Sequence, residues 1–262
     1  MHDRAGSVRL DDARSATAIL LTIAALGLCS GCKENGTGDN PPAATIPEPP
    51  LITDFATLHP TNVLAVTRVS ATLPGIPFLL DATTGSAQFG TPGVDKGTVT
   101  ATVESTVYVF TQTVQAGSVI YSYKPSQSFP QGIILHGGAT GVTFEASDYD
   151  LNPRVVIVPG QLAITSPIRD ATISRNQNLN VVWTVTGPGS EAAVYIADGL
   201  GHARFYQNLG NVSSFTIPVA DMQTLNAGTA YLYAISYNYQ LANANDGVLI
   251  GEATFLRTIT LQ

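Results

Sequence analysis

Gly97-Thr98-Val99-Thr100-Ala101-Thr102-Val103-Glu104 alternates without a break, with Val99, Ala101 and Val103 on one side and Thr98, Thr100, Thr102 and Glu104 on the other. A period of two is the side-chain repeat of an extended chain, so an apolar row backed by hydroxyls reads as a strand with one wet face. Threonine and valine add the χ1 stiffness that suits a pleated surface better than a helix. The reading extends outward from this stretch. Residues 63–69, 107–114, 118–123, 132–136, 142–146 and 155–158 are further β-rich runs separated by turn residues. No window sustains a helical period. Short strands at a spacing of about 8 to 12 residues predict a sandwich or a barrel.

Pro159-Gly160 is a natural break, and a second set of runs follows at 162–165, 171–174, 179–185, 192–197, 203–207, 214–219, 230–239 and 249–261. The expected layout is therefore two β-sandwich domains, 55–158 and 160–262. Within the second, Leu225-Asn226-Ala227-Gly228-Thr229-Ala230-Tyr231-Leu232-Tyr233 resembles the L-x-x-G-T-x-Y-x-Y stretch of fibronectin type III and related immunoglobulin-like domains. Ala227 stands where that family often has proline. The resemblance implies a tyrosine corner at Tyr231, its hydroxyl bonding back to the chain a few residues upstream. Trp183, in Leu-Asn-Val-Val-Trp-Thr-Val, resembles the buried tryptophan of such sandwiches, with Leu179, Val181 and Val185 as same-side neighbours. The resemblance covers roughly 160–262, while 55–158 is assigned a sandwich by pattern alone.

The two cysteines of the chain, Cys29 and Cys32, both sit near its start. Before them, residues 15–28 carry no charge and are too few to span a bilayer, but they match the apolar core of a secretory signal peptide. Leu28-Cys29-Ser30-Gly31-Cys32 then resembles the lipobox of bacterial lipoproteins, with Ser30 and Gly31 in the small positions and Cys29 where an aliphatic residue is usual. The resemblance implies removal of residues 1–31, acylation of the Cys32 sulfur, and membrane attachment through lipid; Lys33 after it leans towards the outer membrane. Stable attachment needs two or more acyl chains. Residues 33–50 hold five of the chain's prolines and no aromatic residue, so 32–54 is expected to be a disordered tether reaching roughly 50 Å.

Composition narrows the functions. Lys and Arg number 12 against 19 Asp and Glu, a net charge of −7, and the lysines are only Lys33, Lys96 and Lys124. Such a chain cannot neutralise a phosphate backbone, which excludes nucleic acid as a partner. No G-x-S-x-G, H-E-x-x-H or Walker-type loop occurs. His136-Gly137-Gly138 is similar to the oxyanion-hole stretch of some lipases, but without a nucleophile elbow it reads as a strand ending in a glycine turn. Asp148-Tyr149-Asp150-Leu151-Asn152 opens like a calcium loop, yet Arg154 and Pro159 occupy positions that would need a small residue and a bidentate glutamate. The expectation is no metal, no cofactor and no catalytic residue.

Tyr231, Tyr233, Ile235, Tyr237 and Tyr239 share a face by strict period two. Tyr231 to Ile235 are expected to line the sandwich interior. For Tyr237 and Tyr239 two readings stand open, core or a sugar-binding platform beside Asn243-Ala244-Asn245-Asp246-Gly247. The sequence thus points to a non-enzymatic, lipid-anchored envelope protein that binds a protein or glycan partner, or alternatively to a carbohydrate-binding or adhesion module.

Overall fold

The computed structural model describes residues 46–47, 49, 52, 60–73, 79–128, 130–187, 189–243 and 246–262. The leader, the lipobox and Cys32 lie outside these residues. The chain is all-β and built as sandwiches. The first half supplies β1 (Asn62–Thr72), β2 (Leu80–Phe89), β3 (Val99–Val103), β4 (Thr106–Val109), β5 (Thr111–Gln115), β6 (Ser118–Tyr123), β7 (Thr140–Ala146) and β8 (Val155–Val158). The second half supplies β9 (Leu162–Ser166), β10 (Thr172–Ile173), β11 (Leu179–Val185), β12 (Glu191–Asp198), β13 (Ala203–Tyr206), β14 (Ser214–Ile217), a one-turn helix (Val219–Met222), β15 (Gly228–Ala242) and β16 (Gly247–Leu261).

Among the described residues three sheets result, with strand orders β4-β3-β7-β8, β14-β11-β9, and a nine-stranded sheet running β13-β12-β15-β16-β1-β2-β6-β5 with β10 also on β16. The large sheet crosses the expected domain boundary. β1 lies parallel to β16 from Asn62 opposite Gly247 to Thr72 opposite Arg257, while β15 pairs with β16 on its other side. Pro159-Gly160 therefore separates the two small sheets, and the large sheet backs both.

Each small sheet closes a core against its own half of the large one. In the first, Val99, Ala101 and Val103 point inward as the alternation predicts and meet Leu64, Val66, Phe89, Tyr121, Val142 and Phe144. Ala242 and Leu249, at the joined ends of β15 and β16, reach into this same core. In the second, Trp183 is buried with Leu179, Val181, Ala230, Leu232, Ala234 and Phe255. Burying a side chain as large as Trp183 is worth several kcal/mol, since truncating one to Ala typically costs about 3–5 kcal/mol.

Four expectations are corrected. The run 107–114 is two strands in two different sheets: Phe110 turns inward between β4 and β5, and Gly85 opposite makes room, because a Cβ there would strike the Phe110 ring. Residues 132–136 make only a single bridge, from Gly132 to Thr83, and form no strand. Two described residues of the expected tether are held against the body: Ile52 is 1% exposed, and the Tyr233 hydroxyl donates to the Pro47 carbonyl at 2.7 Å. Last, Tyr231 faces away from the Trp183 core. Ala230, Leu232 and Ala234 fill that core, and the tyrosine row joins a third apolar cluster on the opposite face of the large sheet, with Ile52, Ala193, Tyr195, Val248 and Ile250. The Tyr231 hydroxyl makes no hydrogen bond among the described residues, so there is no tyrosine corner. Both faces of this sheet are buried, and period two cannot say which face the second sheet covers.

The joint between the halves is closely packed. Asn238 of β15 donates to the carbonyl of Ile157 in β8 at 2.9 Å. Arg169 of the second half reaches the Leu73 carbonyl of the first at 2.6 Å. At Gly251 a Cβ would collide with the Ile157 carbonyl, so glycine sets how closely β8 crosses β16.

Candidate binding groove

Two stretches that the sequence singles out separately, Asp148 to Asn152 and Asn243 to Gly247, meet in space. Asn243 Nδ2 donates to the Asp150 carbonyl at 2.6 Å, and the Asn152 N–H donates to Asn243 Oδ1 at 3.0 Å. Asp246 accepts from Asn62 Nδ2 at 2.8 Å, from the Tyr149 hydroxyl at 3.1 Å and from the Thr61 hydroxyl at 2.9 Å. The calcium-like opening and the Asn-rich turn thus bind each other, tying the β15–β16 hairpin to the first sandwich. Among the described residues no group of three or more His, Cys, Asp or Glu is placed to hold a metal ion.

Beside this knot lies an open groove of about 440 Å³, lined by Thr98 just before β3, Thr100 of β3, Glu145 of β7, and Tyr149, Asp150 and Arg154 from the loop before β8. The outward threonines of the alternating strand are therefore its floor. Arg154 is half-exposed and held in place, with Nη2 2.8 Å from Asp150, Nη1 3.6 Å from Glu145, and Nε donating to the Leu151 carbonyl at 3.1 Å. Tyr149 packs edge-on to Phe89 with centroids 5.2 Å apart, and the Lys96 ammonium stands 5.6 Å from its ring centre. A cation, two carboxylates and two hydroxyls along an open cleft can donate to and accept from a polyhydroxylated ligand.

The two candidate tyrosines differ in access. Tyr237 is fully buried, its hydroxyl donates to Asn208 Oδ1 at 2.8 Å, and burial pushes that hydroxyl's pKa up. It offers no ring face for stacking. Tyr239 is half-buried against the third apolar cluster. Glu252, across the strand from Tyr237, is buried on the same face; burial raises its carboxyl pKa, opposed by a hydrogen bond from the Thr254 hydroxyl. His136 projects outward and pairs with Glu104 at 3.1 Å, with side chains 66% and 67% exposed. An ion pair so exposed contributes little.

Asp198 escaped the sequence reading, although Asp198-Gly199-Leu200-Gly201-His202 carries a turn signal in its Asp and two glycines. Its carboxylate accepts from the N–H groups of Leu200 at 2.8 Å, His202 at 3.0 Å and Asn226 at 2.7 Å, and from Asn226 Nδ2 at 2.8 Å. Asp198 and Asn226, not Tyr231, hold the corner ahead of β15.

No protein-family model matches the chain, and no curated protein matches it. Among solved structures, the chain is similar to fibronectin(III)-like modules of CbhA from Clostridium thermocellum, at 11% identity and a TM-score of 0.22 over 67% of this chain and 85% of that one. It is also similar to the BSP domain of a biofilm-associated protein, at 19% identity and a TM-score of 0.21 over 69% and 27% of the two chains. A tetra-tandem repeat in the extending region of a large adhesion protein matches at 17% identity and a TM-score of 0.21 over 75% and 49%. Likenesses this distant carry no functional argument, and the sandwich architecture rests on the strand order and the cores described above.

Proposed function

We propose that the protein is a non-catalytic bacterial envelope protein, attached to the outer membrane through lipid on Cys32, that presents two fused β-sandwiches for binding. The observation that carries this reading is the nine-stranded sheet shared by both cores. It joins the halves into one stiff body, which suits presentation of a surface at a fixed geometry. The Leu28-Cys29-Ser30-Gly31-Cys32 stretch supplies the attachment, and the proline-rich residues after it supply the reach. In cells fed a radiolabelled fatty acid, the wild-type chain should take up label and Cys32→Ala should not. Equal labelling of both would refute the anchor.

The groove beside Arg154 favours a glycan as the ligand. Its carboxylates, guanidinium and threonine hydroxyls match the donors and acceptors of sugar hydroxyls. The ligand would then sit at this groove, because Tyr237 has no exposed face.

A further inference from the structure

A guanidinium stays charged in a protein, so one taken out of water needs a carboxylate or a set of carbonyls around it. The inner face of the large sheet buries two. Arg68 of β1, 7% exposed, is answered by Asp81, 3.6 Å from Nε, and by the carbonyls of His136 and Leu135 at 3.1 and 3.3 Å. Arg257 of β16, 9% exposed, is not answered in this way. Its Nη1 donates to the Pro167 carbonyl at 2.6 Å, and the Phe255 ring lies 5.3 Å away. Its Nε is enclosed without a hydrogen bond, and among the described residues no carboxylate pairs with the group. A second cation adds to the imbalance. Arg169, which donates to the Leu73 carbonyl at 2.6 Å, opposes the Arg257 charge more strongly than the exposed Asp170 beside it supports that charge. Thr72 of β1 is the register partner of Arg257, so the two share this inner face, and its hydroxyl is likewise enclosed without a partner.

We propose that Arg257, Arg169 and Thr72 form a binding site for a small oxyanion, the phosphate or carboxylate group of an acidic ligand. Two guanidinium groups carry the forked donors that match the oxygens of such a group, and the threonine hydroxyl is one donor more. Buried polar groups are nearly always paired, and a single anion here offsets the Arg257 charge while giving the Thr72 hydroxyl an acceptor. Two cations beside one exposed carboxylate are also a local excess of positive charge in a chain whose net charge is −7. Little of Arg257 is exposed, so the ligand presents a small charged head rather than a broad face. The site is separate from the groove. Asn62, bonded to Tyr149 of the groove, and Thr72 are the two ends of β1, roughly 33 Å apart in an extended strand. Thr72 belongs to the first half of the chain and both arginines to the second, so the bound anion also tightens the joint. None of this depends on lipid at Cys32 or on a ligand in the groove.

The test is equilibrium dialysis of the full chain in neutral detergent against radiolabelled inorganic phosphate and, separately, radiolabelled glucuronate, each with excess chloride to screen diffuse charge. Wild type should retain about one ion per chain. Arg257→Met, which fills similar space without the charge, should weaken retention by at least about tenfold. Thr72→Val, which removes only the hydroxyl, should weaken it by about threefold to fivefold. Arg154→Ala, in the groove, should leave it unchanged. Emission from the buried Trp183 checks that each variant is folded. Retention of phosphate alone assigns a phosphate-bearing ligand, of glucuronate alone an acidic sugar, and of both a site that reads the charged head; each supports the proposal. It is overturned if wild type retains neither ion, if folded Arg257→Met retains as much as wild type, or if Arg154→Ala abolishes retention. Should Arg257→Met not fold, unchanged retention by Thr72→Val overturns it.

Discussion

Asp198→Asn should weaken the second sandwich by about 3 kcal/mol at neutral pH. The native carboxylate is 1% exposed and accepts four hydrogen bonds from Leu200, His202 and Asn226, with His202 Nδ1 a further 3.1 Å from Oδ2. An asparagine keeps one acceptor oxygen and turns an NH₂ toward two of those donors. Hydrogen bonds to a charged group contribute roughly 1.5–3 kcal/mol each, and stranded donors add to the loss. The acid equilibrium gives a second measure. Burial alone would raise this carboxyl, but the bonds from Asn226, Leu200 and His202 outweigh it and hold the pKa down to about 2 from 3.8. At about 1.4 kcal/mol per unit, that depression corresponds to roughly 2 kcal/mol, less where solvent screens the loop. Because the folded pKa is the lower one, this stability is present above about pH 4 and is lost as pH falls towards 2. Trp183, the single tryptophan and buried in the adjoining core, reports the transition by its emission. With a urea slope of about 2 kcal/mol/M, the midpoint should fall by about 1.5 M, and the variant should lose much of the wild type's decline between about pH 4 and pH 2. A midpoint within about 0.3 M of wild type, with an unchanged acid limb, would refute the account.

Two further predictions follow from neighbouring tyrosines and from the groove. Tyr231→Phe should shift stability by less than about 0.5 kcal/mol, since its hydroxyl has no partner among the described residues, whereas Tyr233→Phe should cost about 1 kcal/mol and speed proteolysis near Pro47. The reverse ranking in urea titrations would restore the tyrosine corner. On a glycan array, Arg154→Ala should abolish whatever signal the wild type gives while Tyr237→Phe leaves it intact; signal that survives Arg154→Ala would remove the groove from the binding surface.

Much of the fold was legible residue by residue. The alternation at 97–104 located β3 and its inward face correctly, and the strand around Trp183 lies where its parity partners require. The common face of Tyr231, Tyr233, Ile235 and Tyr237 was also readable from period two. The groove was legible only in fragments, since Thr98 and Thr100 stand out as the wet face of a strand and Asp150 as part of a stretch that opens like a calcium loop. Nothing in their spacing announces that Arg154 closes the cleft between them, because its partners Glu145 and Asp150 are set by a loop geometry that short-range pattern does not encode.

Side-chain period is a local property of extended backbone, so the sequence by itself determined which segments are strands and which residues share a side. It says nothing about what covers that side. The tertiary structure decided that the tyrosines lie opposite the Trp183 core, that Ile52 belongs to the body, and that β1 joins β16 to weld two sandwiches into one sheet. Asn62 and Asp246, hydrogen-bonded across that weld, are separated by 184 positions along the chain. Contacts of that range depend on which faces and edges are left over once local structure has formed, and only the assembled molecule settles that competition.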